Sequence, residues 1–188
     1  SAMLKYAGWD GIVIEGNAET PVWLDIRNDT VEITDCSSLS LWGKDTWDCQ
    51  QTIWNYVAGS NEYGEDWVEP NAASGGRTTQ RPAVVAIGPA GENLGRMACL
   101  IHDASNASGQ GGFGAVWWSK NLKAISVIGT DSIHINDPKG LMQARLSQMK
   151  DYAFDHDNLG TNIFPNLNFS SPPIPIVYWG IPPGTGRP

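Results

Sequence analysis

The residues of this sequence best suited to ligand binding lie in a glycine-rich stretch, where four glycines occupy six consecutive positions from Gly109 to Gly114. Glycine lets backbone N–H groups approach an anion closely, and a helix beginning near Phe113 would add the positive end of its dipole. The stretch therefore favours contact with a phosphate-bearing or polycyclic ligand. The alternative is a glycine-rich turn that opens a packed helix, and the residue types alone do not decide between the two.

Nucleotide binding is excluded by what surrounds this stretch. Gly109–Gly114 matches the G-x-G-x-x-G pattern, but that pattern indicates a dinucleotide site only when a strand precedes it. The preceding residues Asp103–Ser108 are polar, so they do not predict such a strand. A P-loop is excluded as well, because no Gly-Lys-Ser/Thr follows at the required spacing and Lys120 comes too late.

A second candidate segment is Gly88–Leu94, directly after a continuous apolar run. Its glycines permit a tight backbone, and Glu92 and Asn93 supply polar side chains at the end of a predicted strand, where binding sites are common. Burial there could raise the pKa of a carboxyl group and suit it to acid–base work. A structural hydrogen bond, or a plain turn with a solvated acid, is the competing interpretation of Glu92.

The histidines and cysteines give no metal site. Three histidines lack a paired spacing, and three cysteines are too widely spaced for a Cys-x-x-Cys site or a disulfide framework. We therefore predict reduced, structural thiols and non-catalytic histidines. The residues concerned are His102, His134, His156, Cys36, Cys49 and Cys99.

The elements that must position these segments follow from hydrophobic periodicity. Strands are predicted at Gly11–Gly16, Pro21–Arg27, Thr30–Thr34, Ala83–Ile87, Met97–Ile101 and Lys123–Gly129, with a tight turn at Asn28-Asp29. Helices are predicted at residues 46–58, capped by Asp45, and from Asp137-Pro138 to about Tyr152. This order indicates an α+β fold. Residues 59–81 are predicted to form an exposed loop or insertion.

The two candidate segments, taken together, resemble the paired signatures of the tungsten-dependent aldehyde:ferredoxin oxidoreductases. The resemblance rests on Gly88–Leu94 and on Gly109–Ala124, with further similarity at Leu4–Gly16 and Leu41–Thr46 in the same order. It extends from residue 4 to about residue 140. The combination is far more specific than either segment alone.

The resemblance implies a fold and a cofactor. In this family the N-terminal domain is a β-sheet base with packed helices on which a tungsten bis-pterin lies, so residues 1–157 are expected to be a partial tungstopterin-binding domain. Residues 158–188, rich in Pro, Gly and Asn, are expected to be an extended tail or linker. A backbone carbonyl near Ser108 is expected to bind the magnesium ion that bridges the pterin phosphates. The expected cofactor contacts are Glu92, Asn93, Asn106, Ser108, Gly109, Gln110, Gly111, Gly112 and Gly114.

Three positions depart from the family pattern. Gln110 and Asn106 stand where the family usually has arginine, and Trp118 replaces a usual glycine. A neutral amide cannot make the bidentate, charge-assisted contact of arginine with phosphate. These departures suggest, as an alternative, the catalytic subunit of the tungsten-dependent benzoyl-CoA reductases. A non-catalytic module that keeps the fold is a further alternative.

The resemblance also implies partners that lie outside this sequence. Family members bind a [4Fe–4S] cluster through downstream cysteines, and they pass electrons to ferredoxin or an iron–sulfur subunit. We therefore expect further domains on both sides of this chain, and a small aldehyde or aryl-CoA substrate. The net charge of −8 without a basic run disfavours nucleic acid, and the lack of a long apolar stretch or signal peptide predicts a cytoplasmic protein without a membrane span.

Overall fold

The computed structural model describes residues 2–59, 67–70, 75–103, 106–109 and 111–151. The chain divides into two compact units, residues 1–133 and 134–188, which are treated separately below. The described part of the first unit contains a mixed six-stranded sheet with helices packed on it. This arrangement confirms the predicted α+β fold with a sheet base.

The helices and strands of the first unit follow one another along the chain without a regular pattern. They are α1 (Ala2–Tyr6), β1 (Val22–Arg27), β2 (Thr30–Asp35), α2 (Thr46–Ala58), β3 (Ala83–Ala86), α3 (Pro89–Glu92), β4 (Leu100–His102), β5 (Asn106–Ser108), α4 (Phe113–Trp118) and β6 (Leu122–Ile128). A 3-10 turn at Cys36–Leu39 follows β2.

The sheet is organised around its last strand. The strand order is β2-β1-β6-β3-β4-β5, in which β6 runs parallel to β1 and antiparallel to β3. Every residue of β6 is buried. This confirms the predicted strand at Lys123–Gly129, although Lys123 and Ser126 interrupt its apolar residues.

Helices cover both faces of the sheet. On one face, α2 packs its Ile53 against a core that includes Trp23 and Val84. On the other face, Met3 of α1 and Trp117 of α4 pack near Leu24 and Ile125. The predicted start of α2 is confirmed, since the Asp45 carboxylate accepts a hydrogen bond from the backbone N–H of Asp48 at 2.8 Å.

The predicted hairpin between β1 and β2 is confirmed with its turn at Asn28-Asp29. Asn28 adopts a left-handed conformation, with φ of 52°, which asparagine tolerates better than most residues. Its buried side chain donates to Gly75 O at 2.9 Å and to Thr130 Oγ1 at 2.8 Å, and accepts from Thr130 N. The turn therefore also anchors neighbouring loops.

The described parts of the insertion between α2 and β3 are irregular, as predicted. Val68 and Thr78 exchange two backbone hydrogen bonds, and the guanidinium of Arg27 donates to Pro70 O at 2.9 Å. Val68 packs against the core beneath α2. The insertion is thus attached to the sheet at several points.

Two predictions about strands are wrong. Gly11–Gly16 forms no strand, since it pairs with none of the described strands of the sheet. This segment instead borders a small cavity of about 200 Å³ together with Leu24 and Ile26. Conversely, the polar residues Asn106–Ser108 do form a strand, β5, because they pair with β4 at the edge of the sheet, where side chains remain exposed.

The described part of the second unit contains one helix, α5 (Pro138–Asp151), as predicted from Asp137-Pro138. The Asp137 carboxylate accepts from Gly140 N at 2.8 Å and so fixes the first turn. The predicted tail, residues 158–188, lies outside the described residues. Within the part of the chain that is described, no helix is long and apolar enough to cross a membrane.

Candidate cofactor-binding site

The sheet brings the two candidate segments together at one of its ends. The first segment, with α3, follows β3, and the second, with α4, precedes β6. Because β3 and β6 are antiparallel neighbours, the end of β3 lies beside the start of β6. Ser108 at the end of β5 pairs with Leu100 at the start of β4, so it reaches the same end of the sheet.

Several glycines in these segments are required for close packing between α3, α4 and the loop that joins α3 to β4. A Cβ on Gly114 would lie 2.8 Å from Cβ of Ala98, and one on Gly91 would lie 2.9 Å from Cβ of Ile87. A Cβ on Gly112 would lie 2.7 Å from the carbonyl oxygen of Arg96. Close packing is therefore sufficient to explain why glycine is present at positions 91, 112 and 114.

Gly109 differs from those glycines. A Cβ there would meet no atom of the described residues within 4 Å, and its backbone is not in the left-handed region. Neither packing nor conformation therefore requires glycine at this position. Gly111 is different again, because its conformation requires glycine. Its φ of +130° favours glycine, and a Cβ would lie 2.9 Å from the Phe113 ring. Open space above Gly109 is what a ligand approaching the backbone would need.

The polar side chains that are predicted to contact the cofactor differ in their hydrogen bonds. Asn106 and Ser108 are exposed on the edge strand β5, and their side chains form no hydrogen bond with any described residue. Asn93 is also exposed, but its side-chain amide donates to Pro89 O at 2.8 Å, back onto α3. Gln110 lies outside the described residues.

The carboxylate of Glu92 points into the protein. It forms an ion pair with Lys123, whose side chain is completely buried, and it accepts from Gly43 N at 3.1 and 3.2 Å. The ammonium group of Lys123 also donates to Lys44 O at 2.8 Å. Glu92 is therefore fully engaged in joining α3, β6 and residues 43–44, which is the structural interpretation of this residue.

A contact between two tryptophan rings also joins residues 42–44 to the site. The ring centroids of Trp42 and Trp118 lie 4.2 Å apart with an interplanar angle of 34°. Trp42 precedes Gly43, which contacts Glu92, and Trp118 is the last residue of α4. Residues 42–44 are thus attached to both helices of the site.

Lys123, Gly43 and Trp42 are structural residues of this site that lie in segments of the family resemblance but that sequence analysis assigned no role. A signal for Lys123 was available in the sequence. A lysine inside an otherwise apolar, fully buried strand requires an anionic or carbonyl partner, because burying an unpaired ammonium group is very costly. Its partner could not be identified, since Glu92 lies 31 positions away in the chain.

The described residues hold no group of three or more histidine, cysteine or acidic side chains arranged to bind a metal ion. The backbone carbonyl of Arg96 lies close to Gly112, and the Arg96 side chain is exposed.

Comparisons with known proteins show which family this chain is similar to. Residues 1–129 match the family described as aldehyde ferredoxin oxidoreductase, N-terminal domain. The chain is 40% identical over 141 residues to the tungsten-containing aldehyde ferredoxin oxidoreductases of Pyrococcus furiosus and Thermococcus kodakarensis, which covers 75% of this chain and 20% of each relative. It thus spans about a fifth of the length of these curated relatives.

Two further relatives broaden the picture. The WOR-like subunit of an aliphatic sulfonate oxidoreductase from Pyrococcus furiosus is 39% identical over 127 residues, covering 68% of this chain and 19% of the relative. Among solved structures, the active site complex of benzoyl coenzyme A reductase with 1,5-dienoyl-CoA matches with a TM-score of 0.60 and 30% identity, covering 80% of this chain and 20% of that one. On the family match and the described fold, this chain belongs to the aldehyde ferredoxin oxidoreductase N-terminal domain family.

Proposed function

We propose that this chain is the cofactor-binding part of a tungstopterin oxidoreductase that works in the cytoplasm and oxidises aldehydes to carboxylic acids. The observation that carries the proposal is Gly109, a glycine in an open position at the sheet end where both family signatures meet. Tungsten in the names of the relatives supports the identity of the cofactor.

In this proposal, the backbone from Asn106 to Gly112 receives one edge of the pterin cofactor. The bound cofactor supplies the oxygen-transfer and redox chemistry, and this domain holds and orients it. The exposed side chains of Asn106 and Ser108 stand ready for a ligand, and a carbonyl near Ser108 is the proposed ligand of a magnesium ion between the pterin phosphates. Gln110 is a further proposed contact.

Other parts of the proposed enzyme lie outside this chain. We propose that further domains of the same protein bind a [4Fe–4S] cluster and pass electrons to ferredoxin or to an iron–sulfur subunit. The relatives support such domains, because they are about five times as long as their matched region. The proposed role of this chain is therefore limited to placing the cofactor.

Cofactor content is the direct test. The protein should be produced in an anaerobic host supplied with tungstate, and its tungsten, molybdenum and pterin content measured. Gly109→Val should lower the cofactor content without changing the unfolding midpoint. Gly11→Val is the matched control, because a Cβ on Gly11 also meets open space, and this variant should retain the cofactor. Absence of metal and pterin from the unmodified protein would refute the proposal.

Arg96 provides a second test of the same site. Since Asn106 and Gln110 are neutral, we propose that Arg96 supplies a positive charge near the glycines. Arg96→Gln should reduce cofactor retention about tenfold, as expected for loss of a charge-assisted contact with phosphate. The exposed Arg77, in the insertion, is the control position, and Arg77→Gln should have no effect on retention.

The second candidate function is reduction of an aryl-CoA substrate, as a part of the catalytic subunit of a benzoyl-CoA reductase. The match to the benzoyl coenzyme A reductase structure favours it, as it covers 80% of this chain. Electron-transfer assays that compare simple aldehydes with benzoyl-CoA separate the two functions. Turnover of aldehydes alone would refute the second candidate, and turnover of benzoyl-CoA alone would refute the first.

A further inference from the structure

The sheet has a free edge at β2. In the strand order, β2 lies at the end opposite to β5, the strand that carries part of the candidate cofactor site. Its one partner among the described strands is β1, with which it pairs from Thr30 to Asp35. A strand with one unpaired side presents a row of N–H and C=O groups that can bind another strand. This edge is separate from the candidate cofactor site.

The hydrogen bonds of β1 show which backbone groups of β2 face outward. Asn28 N donates to Ile128 O at 3.0 Å, so the even-numbered residues at this end of β1 direct their backbone groups toward β6. The odd-numbered residues direct theirs toward β2, where their direct partners are the even-numbered residues. The N–H and C=O groups of Val31 and Ile33 therefore point away from the sheet, and no described strand pairs with them on that side.

Apolar side chains border this edge on one face of the sheet. Val31 and Ile33 lie directly opposite Ile26 and Leu24, so all four side chains are on the same face. Val31 is 49% exposed and Ile33 is 71% exposed. A strand added to the edge would cover both, because the residues paired with them also place their side chains on this face.

A small apolar cavity adjoins the same face. Its volume is about 200 Å³, and it is lined by residues of β1, of β2 and of the segment that follows α1. The indole of Trp9 is fixed there, since its Nε1 donates to Asn28 O at 2.8 Å. Because Val31 lines the cavity, a side chain placed opposite Val31 lies at its border. A dry apolar cavity of this size suits an aliphatic group.

The other face of this edge is acidic. β2 contains two acids, Glu32 and Asp35, and no lysine or arginine. The direct partner of the exposed Glu32 in β1 is a further acid, Asp25, whose carboxylate is already paired with Arg27 at 2.7 Å. Opposite charges across two strands stabilise their pairing, whereas like charges destabilise it. A strand with a cation opposite Glu32 therefore fits this edge better than a second copy of the same acidic edge.

We infer that the free edge of β2 binds an extended segment of a partner protein in which a lysine or arginine lies between two aliphatic residues. The cation faces Glu32, and the aliphatic side chains cover Val31 and Ile33 beside the cavity. Backbone hydrogen bonds to Val31 and Ile33 extend the sheet by one strand. This inference does not depend on the proposed function, because it concerns the opposite edge of the sheet.

Two synthetic peptides test this inference on the full 188-residue chain. The basic peptide is Lys-Thr-Val-Lys-Val-Thr-Lys, and in the acidic peptide glutamate replaces each lysine; both are blocked at their ends. Calorimetry should show saturable binding of the basic peptide, about tenfold tighter than binding of the acidic peptide. Amide hydrogen exchange, followed by NMR, should become slower at Val31 and Ile33 when the basic peptide is bound.

Charge reversal separates this edge from the general negative charge of the chain. Glu32→Lys should weaken binding of the basic peptide about tenfold and remove its advantage over the acidic peptide. The matched control is Asp48→Lys, which changes the net charge equally at an exposed position of α2 and should alter binding by no more than about twofold. Ile33→Pro removes one outward N–H group and should weaken binding roughly fivefold.

Circular dichroism checks that each variant is folded, which is expected of Glu32→Lys because Glu32 is exposed. Equal weakening by Glu32→Lys and Asp48→Lys would indicate unspecific attraction between charges and would overturn the inference. Slow exchange of the Val31 and Ile33 amides in the free chain would overturn it as well, because another segment or a second copy would then already occupy the edge. The same holds if the basic peptide shows no saturable binding to the folded chain.

Discussion

Glu92 and Lys123 form a buried ion pair that connects the end of α3 with β6, the central strand of the sheet. The side chains are 6% and 0% exposed, respectively, and Gly43 N and Lys44 O complete their hydrogen bonds. The pair therefore holds three segments of the candidate site, α3, β6 and residues 43–44, in one arrangement. An acid that sequence analysis placed in a binding motif is, in the folded chain, a central structural residue.

Removing one partner of this pair should be strongly destabilising. Lys123→Met leaves the buried Glu92 carboxylate without its counter-charge, so the free energy of unfolding should fall by about 3–5 kcal/mol. Urea denaturation measures the change. Lys120→Met is the control, because the partly exposed Lys120 donates to Gly16 O and its loss should cost no more than about 1 kcal/mol. An equal decrease in the free energy of unfolding of the two variants would show that burial of the Glu92–Lys123 pair has no special effect on stability.

The glycines of the site should separate into two classes. Gly114→Ala places a Cβ 2.8 Å from Cβ of Ala98 and 3.1 Å from Cys99 O, so it should lower the free energy of unfolding by about 1–3 kcal/mol. Gly109→Ala meets open space and should change it by no more than about 0.5 kcal/mol. Thermal and urea unfolding check both values. A large loss of stability in Gly109→Ala would mean that this position also serves packing.

Asp25 should make stability fall as pH rises. Burial raises the pKa of its carboxyl above the ordinary value of 3.8, while the neighbouring Arg27 opposes this shift. The folded chain therefore binds more protons than the unfolded chain between the two pKa values. The contribution of Asp25, measured against Asp25→Asn, is fully present below pH 3.8 and is lost as the pH rises through the folded pKa. Urea titrations between about pH 3 and 6 measure it.

Asp35 should show the opposite dependence. Hydrogen bonds from Ser37 and Thr20 lower the pKa of its carboxyl below 3.8. Its contribution, measured against Asp35→Asn, is present above pH 3.8 and is lost as the pH falls through the folded pKa. The same titrations therefore give slopes of opposite sign for the two variants. Slopes of the same sign would show that one environment is assigned incorrectly.

The three thiols should differ in reactivity. Burial raises the pKa of Cys36 to about 12 and that of Cys49 to about 11, so both remain protonated and inaccessible in the folded chain. Cys99 is partly exposed. A disulfide reagent at about pH 8 should therefore modify one thiol per folded chain quickly, because the thiolate is the reactive form. Cys99→Ser should abolish this fast phase, whereas Cys36→Ser should retain it.

Local features of the fold follow from the sequence, because their causes are adjacent in the chain. Asp45 caps α2 through the nearby Asp48, and the Asn28-Asp29 turn joins two strands that pair directly. The apolar run around Ile125 predicts a buried strand without knowledge of its neighbours. In each case, a few consecutive residues determine the outcome.

Other features depend on residues that are far apart in the chain. The run from Gly11 to Gly16 has the composition of a strand, but strand formation also needs a partner strand, and this segment pairs with none of the described strands. Gly109 and Gly114 are the same residue type, and the sequence does not show that Gly114 packs against Ala98 whereas Gly109 faces open space. The sequence likewise does not show that Glu92 is the partner of Lys123. Sequence patterns therefore locate the site but do not assign the role of each residue.

The central position of β6 has a consequence for synthesis of the chain. On the ribosome, the β1–β2 hairpin emerges well before its parallel partner β6, which follows about a hundred residues later. Until then, β1 and β3 each expose an unpaired edge, a state that favours pairing with other chains. The sheet can close only when β6 inserts between them, so folding of this domain is expected to be slow. Chains that end before residue 122 should aggregate rather than fold.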